Sequence, residues 1–301
     1  MWQIGSASVT DAEANWGYEM FQPGLLKSKR ILITGGGTGL GRAMAERFLQ
    51  LGAAVYICGR REDVLQQTSR DLTDRTSGQI RSFVCDVRER DAVEQMIAKI
   101  WDVGPLNVLV NNAAGNFLAR TEELSPRAWE AVLGIVLHGT MNLTLACGQR
   151  WLKAGQQATV LNVSTTYAAA GSGSAYVAPS AVAKAGVLAL TQSLAVEWGP
   201  RGIRLNAIAP GPIRTEGAFS RLLPRKDLEK HALARIPLRR FGTLEEFANL
   251  AAFLVSDGCT QINGEVVVMD GGEWLQGAGE FGYVGQLLSE SDWQNLRPKK
   301  R

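Results

Sequence analysis

Short apolar runs alternate with amphipathic segments along most of the chain. Seven of these runs are predicted as strands: Arg30–Thr34, Ala54–Cys58, Ile80–Cys85, Asn107–Val110, Ala158–Val163, Ile203–Ile208 and Glu265–Met269. The segments between them repeat apolar residues at the spacing of a helix face, as do Val93, Met96, Ile97 and Ile100. Near-continuous apolar strands separated by amphipathic helices predict a parallel sheet covered on both faces. With right-handed crossovers, the expected architecture is a doubly wound, Rossmann-like α/β fold with a seven-stranded sheet.

The alternation has no linker-like break, so we expect a single domain although the chain has 301 residues. This domain is predicted to span residues 29–274. Residues 1–28 and 275–301 fall outside the pattern and are expected to form a leading arm and a trailing tail.

The composition excludes several classes of protein. Hydrophobic residues make up 46% of the chain and charged residues 20%, a balance typical of globular rather than disordered proteins. The 32 Lys and Arg residues nearly balance 29 Asp and Glu residues, which argues against a nucleic-acid partner. No apolar run reaches about 18 residues, so we expect no membrane span.

The cysteines and histidines argue against a metal or disulfide protein. Four cysteines lie far apart without a Cys-x-x-Cys pair, and two histidines occur. We therefore expect buried free thiols in a reducing compartment and no metal site. Residues 1–20 contain three acidic residues and no Lys or Arg, unlike a signal or transit peptide, so a cytoplasmic location is expected.

A glycine-rich turn follows the first predicted strand. Residues 34–41 read Thr-Gly-Gly-Gly-Thr-Gly-Leu-Gly and lead into a helical segment with Met44 and Phe48. Glycine lets the backbone approach a pyrophosphate, and the N-terminus of the following helix attracts the phosphates. The predicted dinucleotide contacts are Gly35, Gly36, Gly37, Thr38, Gly39 and Leu40. A turn needed only for tight packing is the alternative.

Three further motifs follow this Thr-Gly-x-x-x-Gly-x-Gly turn in order. Asn111-Asn112-Ala113-Ala114-Gly115 comes after the fourth strand, Lys184 precedes Ala-Gly, and Pro210-Gly211-Pro212-Ile213 follows the sixth strand. Over about residues 25–275 the set resembles the short-chain dehydrogenase/reductase family. The resemblance implies that Asp86 holds the cofactor adenine, that Lys184 holds the nicotinamide ribose, and that residues 210–213 contact the cofactor. It also implies a homotetramer.

The end of the second strand indicates the choice of cofactor. An NAD site places an acidic residue there to bind the adenosine ribose, whereas this chain reads Cys58-Gly59-Arg60-Arg61. An arginine would pair with the 2′-phosphate that distinguishes NADPH. NADPH is therefore the predicted cofactor, with Arg60 as its phosphate contact. A solvated arginine pair at the start of a helix is the alternative.

Two elements of the family's usual catalytic motif are missing. The Tyr-x-x-x-Lys motif is replaced by Ser180-Ala181-Val182-Ala183-Lys184, with serine in the tyrosine position. The usual asparagine of the long helix after the fourth strand is absent from Ile135-Val136-Leu137-His138-Gly139. Both changes argue against a routine oxidoreductase that interconverts carbonyls and alcohols.

Two other residues offer replacements. Asn116 follows the Asn-Asn-Ala-Ala-Gly turn. Tyr167 follows the fifth strand, at the carboxyl edge of the sheet where the nicotinamide must lie. Tyr176, eight residues before Lys184, is the competing tyrosine, and the sequence leaves open which of the two lies nearer the nicotinamide.

Within the family, the resemblance is to the mitochondrial type of 2,4-dienoyl-CoA reductase. It rests on these residues together with Pro179–Lys184 and Gly217-Ala218-Phe219-Ser220-Arg221. It implies NADPH-dependent reduction of 2,4-dienoyl-CoA to 3-enoyl-CoA in the β-oxidation of unsaturated fatty acids. Tyr167 and Asn116 would donate hydrogen bonds to the thioester oxygen as it gains negative charge. Lys184 would add positive potential, and Ser180 would join the hydrogen-bond network.

The CoA part of such a substrate needs positive groups. By resemblance, the acyl-CoA path is lined by Arg60, Arg88, Phe117, Ser125 and Arg221. The segment 215–240 is rich in Lys and Arg and is the expected substrate lid. A basic lid suits an anionic CoA ester better than a small neutral alcohol.

Two other functions stay open on the sequence. The chain could be another oxidoreductase of the family that acts on a carbonyl or on a different acyl thioester. It could also be a non-catalytic NADP-binding sensor that kept the fold and lost the usual tyrosine. Activity toward a dienoyl-CoA with NADPH separates these functions from the expected one.

Overall fold

The computed structural model describes residues 20–168, 174–215, 217, 222, 225–278, 289 and 291. The strands in these residues are β1 (Arg30–Thr34), β2 (Ala54–Gly59), β3 (Ile80–Val84), β4 (Val108–Asn111), β5 (Ala158–Val163), β6 (Ile203–Pro210) and β7 (Val266–Met269). The helices are α1 (Gly39–Gln50), α2 (Glu62–Thr76), α3 (Arg90–Val103), α4 (Pro126–Leu133), α5 (Gly139–Ala154), α6 (Ala178–Trp198), α7 (Lys226–Arg235), α8 (Leu244–Val255) and α9 (Glu273–Ala278).

The strands form one parallel sheet in the order β3-β2-β1-β4-β5-β6-β7, which confirms the predicted doubly wound fold. Six of the seven predicted strands differ little or not at all from the observed ones, and β6 differs most. It continues two residues beyond Ile208 because Ala209 and Pro210 still pair with Val268 and Met269 of β7. That pairing is a tertiary contact that a local apolar pattern cannot reveal.

The order of the strands reverses between β1 and β4, which is where a doubly wound sheet opens a ligand crevice. Ile31 of β1 pairs with Val55 on one side and with Val108 on the other. The turns after β1 and β4 consequently face each other. A Cβ atom built on Gly35 would lie 3.1 Å from the Ala113 Cα.

Two apolar layers hold the helices against the sheet. On one face α1 and α8 pack through Phe48 and Phe247, which are fully buried. On the other face Ile97 of α3 and Trp151 of α5 are fully buried, and the Trp151 indole donates to the Leu106 carbonyl at 2.7 Å. Burying each large apolar side chain stabilises the fold by about 1.5–3 kcal/mol. These layers fix the strand ends from which the crevice loops emerge.

All four cysteines are free and buried, as predicted. Burial raises the pKa of every one of these thiols, and for Cys85 the pKa is about 11. Thiols with such raised pKa values carry little thiolate at neutral pH and are unreactive.

Helices α4 and α5 are joined by a π turn at Gly134–His138 into one helical stretch from Pro126 to Ala154. By length and composition alone this stretch could cross a membrane, but 56% of its most apolar window is buried inside the fold. A core helix between the sheet and its neighbours accounts for that pattern. The absence of a membrane span stays a prediction.

Three predicted segments are described in part. Of the arm, residues 20–28 are described, and Leu26 is fully buried against the core. Of the lid at 215–240, helix α7 is described. Glu229 of that helix forms a salt bridge with Arg214, with 2.7 Å between the Arg214 Nη2 and the Glu229 Oε2. Of the tail, residues 275–278, 289 and 291 are described.

Candidate active site

The glycine turn after β1 forms a backbone cradle at the crevice. A Cβ on Gly36 would lie 2.4 Å from a side-chain carbon of β2, and one on Gly41 would lie 2.3 Å from the Gly35 carbonyl oxygen. Thr38, the N-cap of α1, is exposed and makes no side-chain capping bond, and the first turn of α1 has no acidic residue. The N–H groups at this helix end are therefore left for an anion. This arrangement fits a dinucleotide pyrophosphate held by residues 35–40.

Hydrogen bonds hold the turn after β4 against the turn after β1. The Asn112 side-chain amide donates to the Thr34 carbonyl at 2.9 Å. The backbone N–H groups of Asn112 and Ala113 both donate to the Thr34 hydroxyl at 2.9 Å. The two turns are thus a rigid pair, which keeps the crevice walls at a fixed separation.

The loop Pro210-Gly211-Pro212-Ile213 closes the same crevice from the carboxyl end of β6. The Gly211 N–H donates to the last carbonyl of β7 at 2.9 Å, and a Cβ there would lie 2.7 Å from the Asp270 Cβ. The chain then turns back, so that a Cβ on Gly39 would lie 3.5 Å from the Thr215 side chain. The predicted cofactor loop therefore reaches the glycine turn.

Charged residues predicted for two different ligands meet at the ends of β2 and β3. Arg60 is exposed directly after β2. Arg88 donates a fork to Asp86, with Nη2 2.5 Å from Oδ2 and Nε 2.9 Å from Oδ1. These hydrogen bonds from Arg88, with a smaller contribution from the charge of Arg60, hold the pKa of Asp86 below its usual value. The predicted adenine contact and a predicted CoA contact are therefore paired with each other.

Tyr167, Asn116 and Ser180 form a hydrogen-bonded trio. The Asn116 side-chain amide donates to the Tyr167 hydroxyl at 3.0 Å, and that hydroxyl lies 3.0 Å from the Ser180 Oγ. The Asn116 Oδ1 accepts the Phe117 N–H at 2.9 Å, which turns the amide nitrogen toward the tyrosine. A phenol and a carboxamide, both uncharged donors, are thus brought to one point.

Three elements far apart in the chain supply the trio. Asn116 follows β4, Tyr167 lies in a turn directly after β5, and Ser180 lies in the first turn of α6. Because β4 and β5 are adjacent parallel strands, their carboxyl ends lie side by side. Tyr176 is 60% exposed and is not part of the trio. The fold therefore separates the two tyrosines that the sequence left in competition.

Lys184 lies one helical turn beyond Ser180 and is buried, with 7% of its surface exposed. Its ammonium donates to the Val163 carbonyl at the end of β5. Burial lowers the pKa of Lys184 from 10.5 to about 8. The neighbouring Ser164 hydroxyl is buried and has no hydrogen-bond partner within the described residues. A cation at this position adds positive potential next to the trio.

For the reaction that takes place at this site, we expect kcat/KM to fall as the pH rises through about 8, the pKa of Lys184. Burial favours the neutral amine, so Lys184 loses its proton at a lower pH than an exposed lysine and its positive potential is lost with it. The measurement is kcat/KM across roughly pH 6–10. Lys184→Arg should lower activity but abolish the alkaline fall, because a guanidinium stays charged. An alkaline fall that persists in this variant would assign the titration to another group.

A buried polar ladder supports the site, and the sequence analysis missed it. The Asn111 side-chain amide donates to the Asn162 Oδ1 at 2.8 Å and to the Thr144 hydroxyl at 3.0 Å. The Asn162 amide donates in turn to the Thr191 hydroxyl at 2.8 Å. The available signal was an asparagine in each of two apolar strands, and these asparagines pair in register. The ladder ties β4, β5, α5 and α6 together below the loops that carry Asn116 and Tyr167.

The π turn occupies the stretch where the family's helix asparagine is absent. A Cβ on Gly139 would lie 2.6 Å from the Val87 side chain, so the loop after β3 packs directly onto this turn. Leu137 packs against Gly186 of α6, where a Cβ would lie 2.9 Å from it. Single π turns inside α-helices are frequent at functional sites. This one joins the loop beside Asp86 to the helix that carries Lys184.

Two of the three remaining predicted substrate residues have structural partners. Phe117 is half-buried against an apolar cluster that includes Val132 and Ala183. Ser125 is the N-cap of α4 and accepts the Ala128 N–H at 3.2 Å. Arg221 lies outside the described residues. No group of three or more His, Cys, Asp or Glu side chains in the described ranges is arranged to hold a metal ion.

Comparison with known proteins identifies the family. A family model described as Enoyl-(Acyl carrier protein) reductase matches residues 35–273. The chain belongs to the short-chain dehydrogenase/reductase family. Proteins of this family are oxidoreductases, and they use a nicotinamide dinucleotide.

Individual relatives narrow the comparison. A probable 2,4-dienoyl-CoA reductase [(2E)-enoyl-CoA-producing] from Bacillus subtilis is 45% identical over 83% of this chain and 98% of the relative. A probable 2,4-dienoyl-CoA reductase 3 [(3E)-enoyl-CoA-producing] from Caenorhabditis elegans is 42% identical over 84% of this chain and 83% of the relative. A short-chain dehydrogenase from Bacillus anthracis, solved at 1.99 Å, aligns with a TM-score of 0.74 and 42% identity over 81% of this chain and 96% of that chain. The resemblance stated from the sequence is thereby confirmed.

Proposed function

We propose that this oxidoreductase uses NADPH to reduce 2,4-dienoyl-CoA esters to 3-enoyl-CoA in the β-oxidation of unsaturated fatty acids. The observation that carries the proposal is the trio at the carboxyl edge of the sheet. In it the Tyr167 hydroxyl lies 3.0 Å from both the Asn116 amide and the Ser180 hydroxyl. The names of relatives at 45% and 42% identity support the same reaction.

The reaction places transient negative charge on an oxygen. NADPH held by the glycine turn at residues 35–40 would supply the hydride, which adds to the δ-carbon of the dienoyl thioester. The conjugated electron pairs shift toward the carbonyl, and the thioester oxygen becomes an enolate oxygen. A proton from solvent then adds to the α-carbon, the carbonyl re-forms, and a double bond remains between the β- and γ-carbons. The protein must therefore stabilise an enolate oxygen rather than pass a proton to an alkoxide.

The trio suits that task. Tyr167 and Asn116 would donate their O–H and N–H to the thioester oxygen, and each such donor is commonly worth about 3 kcal/mol of barrier. Ser180, 2% exposed, would keep the phenol oriented. Lys184 would hold the nicotinamide ribose and add positive potential to the site. Serine in place of the usual motif tyrosine fits a reaction that has no alkoxide to protonate.

The position of the product double bond depends on the carbon that takes the proton. Protonation at the α-carbon leaves a 3-enoyl-CoA, and protonation at the γ-carbon leaves a 2-enoyl-CoA. The names of the two relatives differ on this point. We propose the α-carbon, because two donors at the thioester oxygen concentrate the negative charge at that end of the dienolate.

The preference for NADPH rests on Arg60. Its side chain is exposed directly after β2, where the guanidinium can donate two hydrogen bonds to a 2′-phosphate. The glycine cradle and the paired turns would hold the rest of the dinucleotide, with Asp86 beside the adenine. A homotetramer in the cytoplasm remains the predicted setting.

The test is an assay of the purified protein with NADPH and 2,4-hexadienoyl-CoA, in which loss of the dienoyl absorbance is followed and the product is identified by NMR. We expect 3-enoyl-CoA, at least about tenfold higher kcat/KM with NADPH than with NADH, and loss of most of that preference in Arg60→Ala. Reduction of ketones without reduction of the dienoyl-CoA would favour another oxidoreductase of the family. NADPH binding without turnover would favour the non-catalytic sensor. A 2-enoyl product would contradict protonation at the α-carbon.

A further inference from the structure

Tyr176 has a backbone conformation that is rare for its residue type. Its φ is +66°, in the left-handed region, where a bulky side chain is seldom found. Its ring is 60% exposed, so the cost of this backbone conformation is not offset by packing of the ring in the core. Conformations of this kind persist where the surrounding structure over-determines them, and they cluster at ligand-binding sites.

Two contacts hold the Tyr176 backbone in place. The Ala119 N–H donates to the Tyr176 carbonyl at 3.0 Å. The next residue, Val177, is 4% exposed and anchors the start of α6. The hydrogen bond joins the loop that follows Asn116 to the segment that precedes Ser180. The exposed ring is therefore attached to the backbone where the loop after Asn116 meets the segment that leads into α6, and this contact is the junction referred to below.

The junction lies close to the catalytic trio. Asn116 is three residues before Ala119, and Ser180 is four residues after Tyr176. Because a chain spans at most about 3.6 Å per residue, both lie within about 14 Å of the junction. Leu118, next to the junction, is 45% exposed. Two exposed apolar side chains thus flank the junction at the rim of the site.

The rim at this junction is uncharged. Residues 116–119 and 174–178 contain no charged side chain. Arg120, which follows Ala119 in the sequence, faces Glu123 at 3.6 Å. Within the described residues 116–119 and 174–178, the rim therefore matches a neutral apolar part of a ligand better than the phosphates of CoA.

We infer that Tyr176 is a specificity-determining residue, whose ring, with Leu118 beside it, contacts the acyl chain of the substrate beyond its diene. The inference rests on the proposed function, since it needs an acyl thioester as substrate. A large aromatic surface held still by its backbone can bury an apolar chain at little entropic cost. The ring therefore favours longer acyl chains without acting on the reacting atoms.

The test compares Tyr176→Asn and Tyr176→Gly with the wild-type enzyme on 2,4-decadienoyl-CoA and 2,4-hexadienoyl-CoA. Asn and Gly both tolerate a left-handed backbone, so these variants remove the ring and keep the junction. We expect KM for the longer ester to rise about tenfold, as loss of a buried apolar contact predicts, with KM for the shorter ester and kcat for both within about twofold. Tyr176→Phe should restore the low KM for the longer ester.

Several outcomes would overturn the inference. Unchanged KM values in both variants would show that the ring does not contact the substrate. Equal increases in KM for both esters would show that it contacts CoA instead of the acyl chain. Val196→Asn, which removes an apolar side chain 80% exposed near the far end of α6, is the matched control and should change neither KM. A wild-type enzyme inactive on both esters would refute the proposed function itself, which is a distinct result.

Discussion

Tyr167→Phe should lower the turnover of a dienoyl-CoA by about 100- to 1000-fold, the usual cost of losing one donor to a developing oxyanion. The substitution deletes a hydroxyl that lies 3.0 Å from both the Asn116 amide and the Ser180 hydroxyl. Asn116 keeps its orientation because its Oδ1 still accepts the Phe117 N–H. Affinity for NADPH should change little, since the lost interaction acts on charge that exists only in the transition state.

The measurement is single-turnover reduction together with a fluorescence titration of NADPH. Tyr56→Phe is the matched control, because it deletes the same hydroxyl from a ring that is 3% exposed. That ring packs beside Phe83 and under Arg30, away from the trio. If Tyr167→Phe retained full turnover, the phenol would have no part in stabilising the enolate.

Gly41→Ala should weaken dinucleotide binding by more than about 100-fold and lower the free energy of unfolding by about 1–3 kcal/mol, the usual cost of overpacking. The added Cβ would lie 2.3 Å from the Gly35 carbonyl oxygen and 2.6 Å from the Asn112 side-chain nitrogen. Neither neighbour can yield easily. Gly35 is backbone of the cradle, and the Asn112 amide is already bonded to the Thr34 carbonyl.

Calorimetric titration with NADPH and thermal unfolding measure the two effects. Gly258→Ala, in the turn after α8 and away from the crevice, serves as the control, because its Cβ would meet nothing closer than the Ser256 hydroxyl at 3.5 Å. That variant should bind NADPH and unfold like the wild-type protein. NADPH affinity in Gly41→Ala equal to that of the control would show that the turn is not the pyrophosphate cradle.

The trio was only partly predictable. The residue types and their places after β4 and β5 singled out Asn116 and Tyr167, because parallel strands bring their carboxyl ends to one edge. Their hydrogen bond spans 51 residues, and its geometry depends on the turns between them. Tyr176 could not be placed from the sequence, since its exposure follows from the junction with Ala119.

Three other features of the site were not predicted either. Asp86 was predicted to bind the adenine and Arg88 to bind CoA, and the structure shows that the two side chains are hydrogen-bonded to each other. Phe117 was predicted to touch substrate, and it packs against the cluster around Val132. The π turn had no pattern of its own, because it interrupts a helix whose apolar periodicity continues on both sides.

The amino-acid sequence by itself determined the strands, their parallel arrangement, the glycine cradle and the loss of the usual catalytic tyrosine. These features follow from short-range periodicity and from residue types that only one local conformation tolerates. The tertiary structure alone decided which tyrosine meets Asn116 and Ser180, how deeply Lys184 is buried, and which cluster Phe117 packs against. Those outcomes depend on contacts between distant segments, whose distances are set when the whole sheet and its helices pack together.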